Sequence, residues 1–198
     1  MATPSAGIRL AAEDDAAAVA AIYAPIVTQT AISFETEPPD ERQMRERIAG
    51  ILATYPWLVH VHDGRITGYA YASRHRARAA YAWSVDTAVH VDVAYRRRGI
   101  ARALYRSLFA ILEAQGVASA FAGVALPNPA SIALHEQAGF VSVGIYRNVG
   151  YKLGAWRDVA WFQRPVGPHR IPPPAVTSVQ DVRHRVGWPD LLRRGEAT

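Results

Sequence analysis

The sharpest chemical feature of this 198-residue chain is the run Arg96-Arg97-Arg98-Gly99-Ile100-Ala101, set between a strand-like stretch and a long helical one. A helix start presents unpaired N–H groups and the positive end of the helix dipole, so it attracts anions. Gly99 lets the backbone approach a phosphate, Ala101 is small enough not to crowd it, and the arginines add charge-assisted contacts. Standing alone, such a run reads sooner as a solvated basic turn. It lacks the GK[ST] of a Walker A loop and is no dinucleotide GxGxxG. His60 and His62 share a strand face two residues apart, but no third ligand accompanies them. Surface or partly packed rings are expected there, and no metal.

The elements that position these residues follow from periodicity and punctuation. Ile8 to Ala11 reads as a strand, and Glu13, Asp14 and Asp15 start a helix ending near Ala24. A polar and aromatic connector over 28–39 closes with Pro38-Pro39. A second helix begins at Asp40, with Met44, Ile48, Ile51, Leu52 and Tyr55 on its buried face. Trp57 to His62 and Arg65 to Ser73 form a hairpin about Asp63-Gly64. A basic loop, Arg74 to Arg78, leads to a strand over 83–93, with Val89, Val91 and Val93 on one face and His90 and Asp92 on the other. Gly99 opens a helix with the stripe Ile100, Leu104, Leu108, Ile111 and Leu112, which Gly116 ends. A strand over 119–124, a short helix over 128–138 stopped by Gly139, and strands over 141–149 and 156–163 complete the pattern. The fold class is mixed α/β, a single domain over 1–165. Prolines 165, 168 and 172 to 174 then introduce an arginine-rich segment, 166–198, expected to be an extended or loosely packed tail.

Half the residues are hydrophobic and a fifth are charged, as in a globular protein with a real core. With no cysteine, disulfides and thiolate metal sites are excluded. Met1 to Gly7 is too short and polar for a signal peptide and no stretch approaches a membrane span, so a cytoplasmic location is expected. The net charge of +5 and pI near 9.8 invite a nucleic-acid reading. Much of that charge, however, sits in 74–78, 96–98 and the tail, without a zinc-finger, RNP or helix-turn-helix pattern. A compact polyanion such as a pyrophosphate explains the internal arginines better, and no nucleic-acid partner is expected.

Arg96-x-x-Gly99-x-Ala101 after Val89-His90-Val91 resembles the coenzyme-A motif of the GNAT acetyltransferase superfamily. Its second motif is matched by Asn128-x-x-Ser131-x-x-Leu134-His135-Glu136-x-x-Gly139-Phe140. Four further stretches are similar to phosphinothricin and methionine sulfone/sulfoximine N-acetyltransferases: 33–38, 55–59, 68–72 and Tyr146-Arg147-x-Val149-Gly150-Tyr151-Lys152-x-Gly154-x-Trp156-x-Asp158-Val159. The resemblance spans 8–165 and implies a GNAT fold of about seven strands flanked by four helices, with acetyl-CoA as co-substrate. It also implies a homodimer whose substrate pocket lies near the partner chain.

Carried onto this sequence, the resemblance has Val89, His90 and Val91 pair with the pantetheine arm through their backbone, on a bulged strand that splays from its neighbour. The Val91 N–H would polarise the thioester carbonyl. Arg96, Arg97, Arg98, Gly99, Ile100, Ala101 and Arg102 would meet the pyrophosphate, and Asn128 the coenzyme from the next helix. Asp86, where the related enzymes carry a glutamate, would be the general base, reaching the amine directly or through water; alternatively it caps the basic loop. His135 stands where many relatives place a proton-donating tyrosine, or else simply packs. Arg76, Ala77 and Arg78 would form the substrate loop, with a guanidinium gripping a carboxylate or phosphinate, unless that loop is merely solvated. Phe34, Tyr81, Thr87 and Ala88 would complete the pocket, and Glu35 stands where phosphinothricin acetyltransferases have a basic residue. The implied reaction is acetyl transfer to the amine of a small amino-acid-like molecule. Protein or peptide amines, or a non-catalytic module that binds coenzyme A or nucleic acid, are the alternatives.

Overall fold

The computed structural model describes residues 6–185 and 187–195. Met1 to Ser5, which belong to the segment read above for a leader, and Glu196 to Thr198 of the tail lie outside the described residues. Strand β1 (Ala6–Leu10) leads through a 3₁₀ turn into α1 (Ala16–Gln29), then α2 (Glu41–Leu52). The hairpin β2 (Trp57–His62) and β3 (Arg65–Arg74) turns on Asp63 and Gly64, whose φ of 49° and 75° suit a tight hairpin. Next come β4 (Ser84–Val91), α3 (Ile100–Gln115), β5 (Ser119–Ala125), α4 (Pro129–Gln137), β6 (Val141–Lys152) and β7 (Ala155–Pro165). Two short helices follow, α5 (Val179–Arg183) and α6 (Trp188–Arg193).

The seven strands make one sheet in the order β1-β2-β3-β4-β5-β7-β6. Every pairing is antiparallel except β4 with β5, which α3 joins as the crossover helix a parallel pair requires. On one face α1 and α2 pack Val19, Ile22, Met44 and Ile48 against Trp57, Val59 and Tyr69. On the other, the α3 stripe Leu104, Leu108, Ile111 and Leu112 is fully buried on Leu58, Ala70, Val85 and Ala120.

Three expectations need correction. The first helix does not end near Ala24 but runs through Pro25 to Gln29. An interior proline costs about 3 kcal/mol, whereas burying Ile26 and Val27 returns about 1.5–3 kcal/mol each. The strand expected over 83–93 stops at Val91, and Val93 sits exposed in a 3₁₀ turn whose Asp92 cap accepts from the Ala94 N–H. The segment after β7 is not loose, because the back of α3 buries two polar side chains that need it. Ser107 Oγ donates to Leu192 O at 2.6 Å, and Gln115 Nε2 donates to both Thr54 O and Thr177 O at 2.7 Å. Val179 and Val182 are buried beside them. Unpartnered, each such polar group would cost about 1–3 kcal/mol.

Candidate active site

Strand β4 pairs with β3 along its whole length, but with β5 only over Ser84↔Ser119, Val85↔Ala120 and Asp86↔Phe121. Immediately beyond Asp86 the two strands part. From Thr87 to Val91 the β4 backbone therefore has no strand partner on that side among the described residues. The β3–β4 register has no shift, so the expected bulge is absent from this ladder: β4 stays in register with β3 while β5 turns away. A cavity of about 640 Å³ occupies the divergence. Thr87, Ala88, Val89, His90 and Val91 line it from β4, and Asn128, Ser131, Leu134 and His135 from the α4 side.

At one end the cavity meets the start of α3 through Arg96, Arg97, Gly99, Ile100, Ala101 and Arg102. Gly99 caps the helix with φ 79°, and no atom lies within 4 Å of where its Cβ would be. Arg97 is also left-handed, at φ 61°, a conformation that costs a side-chain-bearing residue roughly 1–2 kcal/mol. The turn thus spends backbone strain on its shape, as functional turns do. Arg98 does not line the cavity; its guanidinium lies 5.0 Å over the Tyr95 ring. Asn128 Oδ1 accepts from the Ser131 N–H at 3.2 Å, which leaves its amide NH₂ for a ligand. The open helix start, the free strand edge and this amide fit an extended ligand with a pyrophosphate at one end.

Of the two readings of His135, the geometry matches the packed one. The ring is 5% exposed. Its Nδ1 lies 2.7 Å from Ser131 O, which can only accept, so Nδ1 carries the proton. Nε2 then accepts from the Tyr105 hydroxyl at 3.0 Å. Burial pushes the ring below its ordinary titration range, against the hydrogen bond to Ser131. With both nitrogens engaged, His135 orients Tyr105 and has no proton free to give. Tyr105 itself is buried, and burial raises its hydroxyl well above the usual phenol range.

Asp86 does not stand alone. His75, at the end of the β3–β4 hairpin, places Nδ1 2.7 Å from Asp86 Oδ1. The His75 ring stacks on Phe121, with centroids 4.3 Å apart and planes at 16°. Tyr81 and Trp161 meet its edges at 5.9 and 6.4 Å. Burial raises the Asp86 carboxyl, opposed by the bond to His75 and by Arg76. Arg76 donates to His75 O at 2.8 Å and lies 6.0 Å over the Trp161 ring. The structure thus gathers Asp86, Arg76 and Tyr81, while Ala77 and Arg78 lie on the exposed stretch of the loop.

The 30–39 connector is anchored by three ties. Lys152 Nζ donates to Ser33 O and Glu35 O at 2.6 and 2.7 Å. The Phe34 ring lies so close over Gly150 that a Cβ there would fall 2.3 Å from it. Arg47 grips the Glu35 carboxylate through both oxygens, at 2.7 and 2.9 Å, and the Tyr23 hydroxyl adds a third bond. These bonds hold Glu35 below the usual carboxylate range, Arg47 foremost. Glu35 is therefore spent on the scaffold. His60 Nδ1 lies 2.6 Å from Thr67 Oγ1 and His62 3.5 Å from Asp63. Among the described residues, no group of three or more His, Cys, Asp and Glu could hold a metal ion, and no helix is long and apolar enough to cross a membrane.

Sequence reasoning missed His75, Tyr105 and Tyr23. His75 was lost among the arginines of 74–78. Its signal was the hairpin register, which sets Ser73 opposite Asp86 and so delivers residue 75 to the same corner.

A mixed sheet that opens beside a basic helix start is the architecture of an acyl-CoA-dependent transferase. A family model described as an acetyltransferase (GNAT) domain matches residues 8–161, and the chain belongs to that family. It is 37% identical over 170 residues to a phosphinothricin N-acetyltransferase of Streptomyces viridochromogenes, covering 84% of this chain and 93% of the relative. It is 31% identical to the L-methionine sulfoximine/L-methionine sulfone acetyltransferase of Salmonella typhimurium, covering 83% and 97% of the two chains. A solved phosphinothricin acetyltransferase from Sinorhizobium meliloti, in complex with acetyl-CoA, superposes with a TM-score of 0.79 at 35% identity, covering 82% and 89%.

Proposed function

We propose that this protein moves the acetyl group of acetyl-CoA directly onto the primary amine of a small amino-acid-like molecule, of the methionine sulfone, methionine sulfoximine or phosphinothricin kind. The observation that carries the reading is the parting of β4 from β5 just after Asp86, because it sets a half-buried carboxylate next to the free strand edge, Thr87 to Val91, that lines the cavity. Acetyl-CoA would supply an activated acyl carbon. The backbone of Val89 to Val91 holds its arm as an added strand would, and the Val91 N–H polarises the carbonyl. Arg96, Arg97, Arg102 and the N–H groups after Gly99 hold the pyrophosphate, with Asn128 beside them. Asp86 provides the negative charge that draws a proton from the incoming ammonium, help worth about 10²–10⁴-fold. Arg76 and Arg78 offer guanidinium groups to the substrate carboxylate. The test is a thiol-release assay with acetyl-CoA against the common amino acids, methionine sulfone, methionine sulfoximine and phosphinothricin. Turnover of one or more of these acids, and poor use of the matching amide, is expected. Equal use of acid and amide would make peptide amines the better assignment.

We also propose that two copies pair through β6. This is the edge strand of the sheet, yet Val141, Val143, Tyr151 and the neighbouring Trp156 are all exposed, at 64, 59, 62 and 63%. An apolar edge of this length invites association. Light scattering should give twice the chain mass, and Val143→Lys should reduce it to one; a monomeric parent at micromolar concentration would refute the pairing.

A further inference from the structure

We infer that the atom which takes the proton from the acceptor amine is His75 Nε2, with Asp86 acting as the carboxylate that orients the ring. The inference rests on the acetyl-transfer reading and assigns its base. Asp86 is one carbon shorter than the glutamate the resemblance leads one to expect, and its Oδ1 is already committed to His75 Nδ1 at 2.7 Å. An ionised carboxylate can only accept, so the proton of a neutral ring sits on Nδ1. The lone pair is then on Nε2, which has no hydrogen-bond partner among the described residues. The imidazole thus extends the reach that the shorter acid lacks.

The ring's placement agrees with this role. It stacks on Phe121, the β5 residue in the last β4–β5 pair before the strands part, so it stands at the fork whose next β4 residue, Thr87, lines the cavity. Phe121, Tyr81 and Trp161 fix its plane, and the bond to Asp86 sets which edge of the ring faces the carboxylate. The titratable and charged groups that bear on the pair are Tyr71 from β3, and Arg76 and Tyr81 from the following loop; β5 and β7 contribute only aromatic rings. In the reaction one ammonium N–H bond breaks and Nε2–H forms, which frees the nitrogen lone pair. That pair forms the new C–N bond as the C–S bond breaks and sulfur leaves with its electrons. The second amine proton ends on the sulfur, and the imidazolium returns the first to solvent. No oxidant or metal is needed for the balance.

His75→Asn keeps a donor for Asp86 but has no basic lone pair. In that variant kcat should fall about 100-fold at neutral pH, with the amine KM and the coenzyme affinity little changed. The loss should shrink at high pH, where free amine is abundant. In His75→Ala, added imidazole should restore part of kcat without altering KM, a response that a packing role would not give. Nitrogen NMR of the parent should find the Nδ1–H tautomer, and Asp86→Asn should abolish that preference. Parent-like kcat in His75→Asn, or an Nε2–H tautomer in the parent, would overturn the inference. The tautomer is read without turnover: if it is Nδ1–H yet no amine is acetylated, the dyad stands and the acetyl-transfer reading falls.

Discussion

Gly99→Ala separates the two roles of the turn before α3. With φ at 79°, alanine there incurs roughly 1–2 kcal/mol of left-handed strain. Part of this is offset by the less flexible unfolded chain, about 0.4–1 kcal/mol. The net loss of about 0.5–1 kcal/mol should lower the melting temperature by 1–4 °C, taking about 2–4 °C per kcal/mol for a chain of this size. The effect on ligand should be larger. Chain neighbours aside, the space before Gly99 is empty to 4 Å, and on the proposed reading the pyrophosphate occupies it. Displacing a charge-assisted backbone contact costs about 1.5–3 kcal/mol, or 10- to 150-fold in Kd. At 100 times the parent's Kd, acetyl-CoA stabilises the parent by about 2.7 kcal/mol, but a variant weakened 100-fold by only about 0.4 kcal/mol. Differential scanning fluorimetry with and without acetyl-CoA reads both quantities. Gly50→Ala is the control: it lies in α2 with nothing within 4 Å, should raise the melting temperature slightly and should leave the ligand shift intact. A Gly99→Ala protein whose ligand shift equals the parent's would remove this turn from the binding site.

Asp86→Asn should lower kcat by about 10²–10⁴-fold at pH 7 while preserving coenzyme affinity; a variant with parent turnover would show that the Asp86 charge takes no part in proton removal. Arg78→Ala should raise the KM of an acidic substrate by one to two powers of ten, about 1.5–3 kcal/mol, and barely change that of its amide; equal effects on both would exclude the carboxylate contact. His90 titrates at about 4, because burial and then Arg96 disfavour its charged form. The unfolded ring takes up a proton near pH 6.5 and the folded ring does not, so stability should fall as the pH drops from 6.5 to 4. Urea titrations should show that fall, about 3 kcal/mol in all, and His90→Gln should flatten it; an equal slope in the variant would refute the assignment. Asp15 behaves in the same sense at lower pH. Burial opposes its charge, but the Arg9 guanidinium, at 2.6 and 2.8 Å, and the Ala12 N–H hold the carboxyl below its usual value. Its contribution is present above about pH 4 and lost as the pH falls through the folded value. Asp15→Asn should therefore cost about 1 kcal/mol at pH 7, given how exposed Arg9 is, and progressively less as the pH falls; a deficit that does not change with pH would mean packing, not charge.

What the sequence made legible was local. Asp63-Gly64 announced its hairpin, Gly99 and Gly116 bounded α3, and Gly139 stopped α4, because each acts within a few residues of itself. The basic turn was readable for the same reason. What stayed hidden depended on tertiary register. His75 belongs with Asp86 only once β3 and β4 are paired, and the Nε2 of His135 finds its partner in Tyr105, 30 residues away on another helix. The tail read as loose because its apolar positions, Val176, Val179 and Val182, are sparse among arginines and prolines. Their value comes from Ser107 and Gln115, whose need for partners no local pattern reveals.

The parting of β4 and β5 makes the molecule two half-sheets, β1 to β4 and β5 with β7 and β6, joined along the strands by three residue pairs and elsewhere by α3 and the ties of Lys152 and Phe34. Most folds are weakest at their edges; this one carries its weakest seam through the middle. Small opposed motions of the halves can widen or narrow that seam without disturbing a strand pairing on either side. An extended ligand lying in it would bond to one half and press on the other, closing the gap from within. Amide exchange at Val89 and Val91 should then slow on binding, together with exchange far off in β7, because a closed seam lets the two halves resist opening as one body.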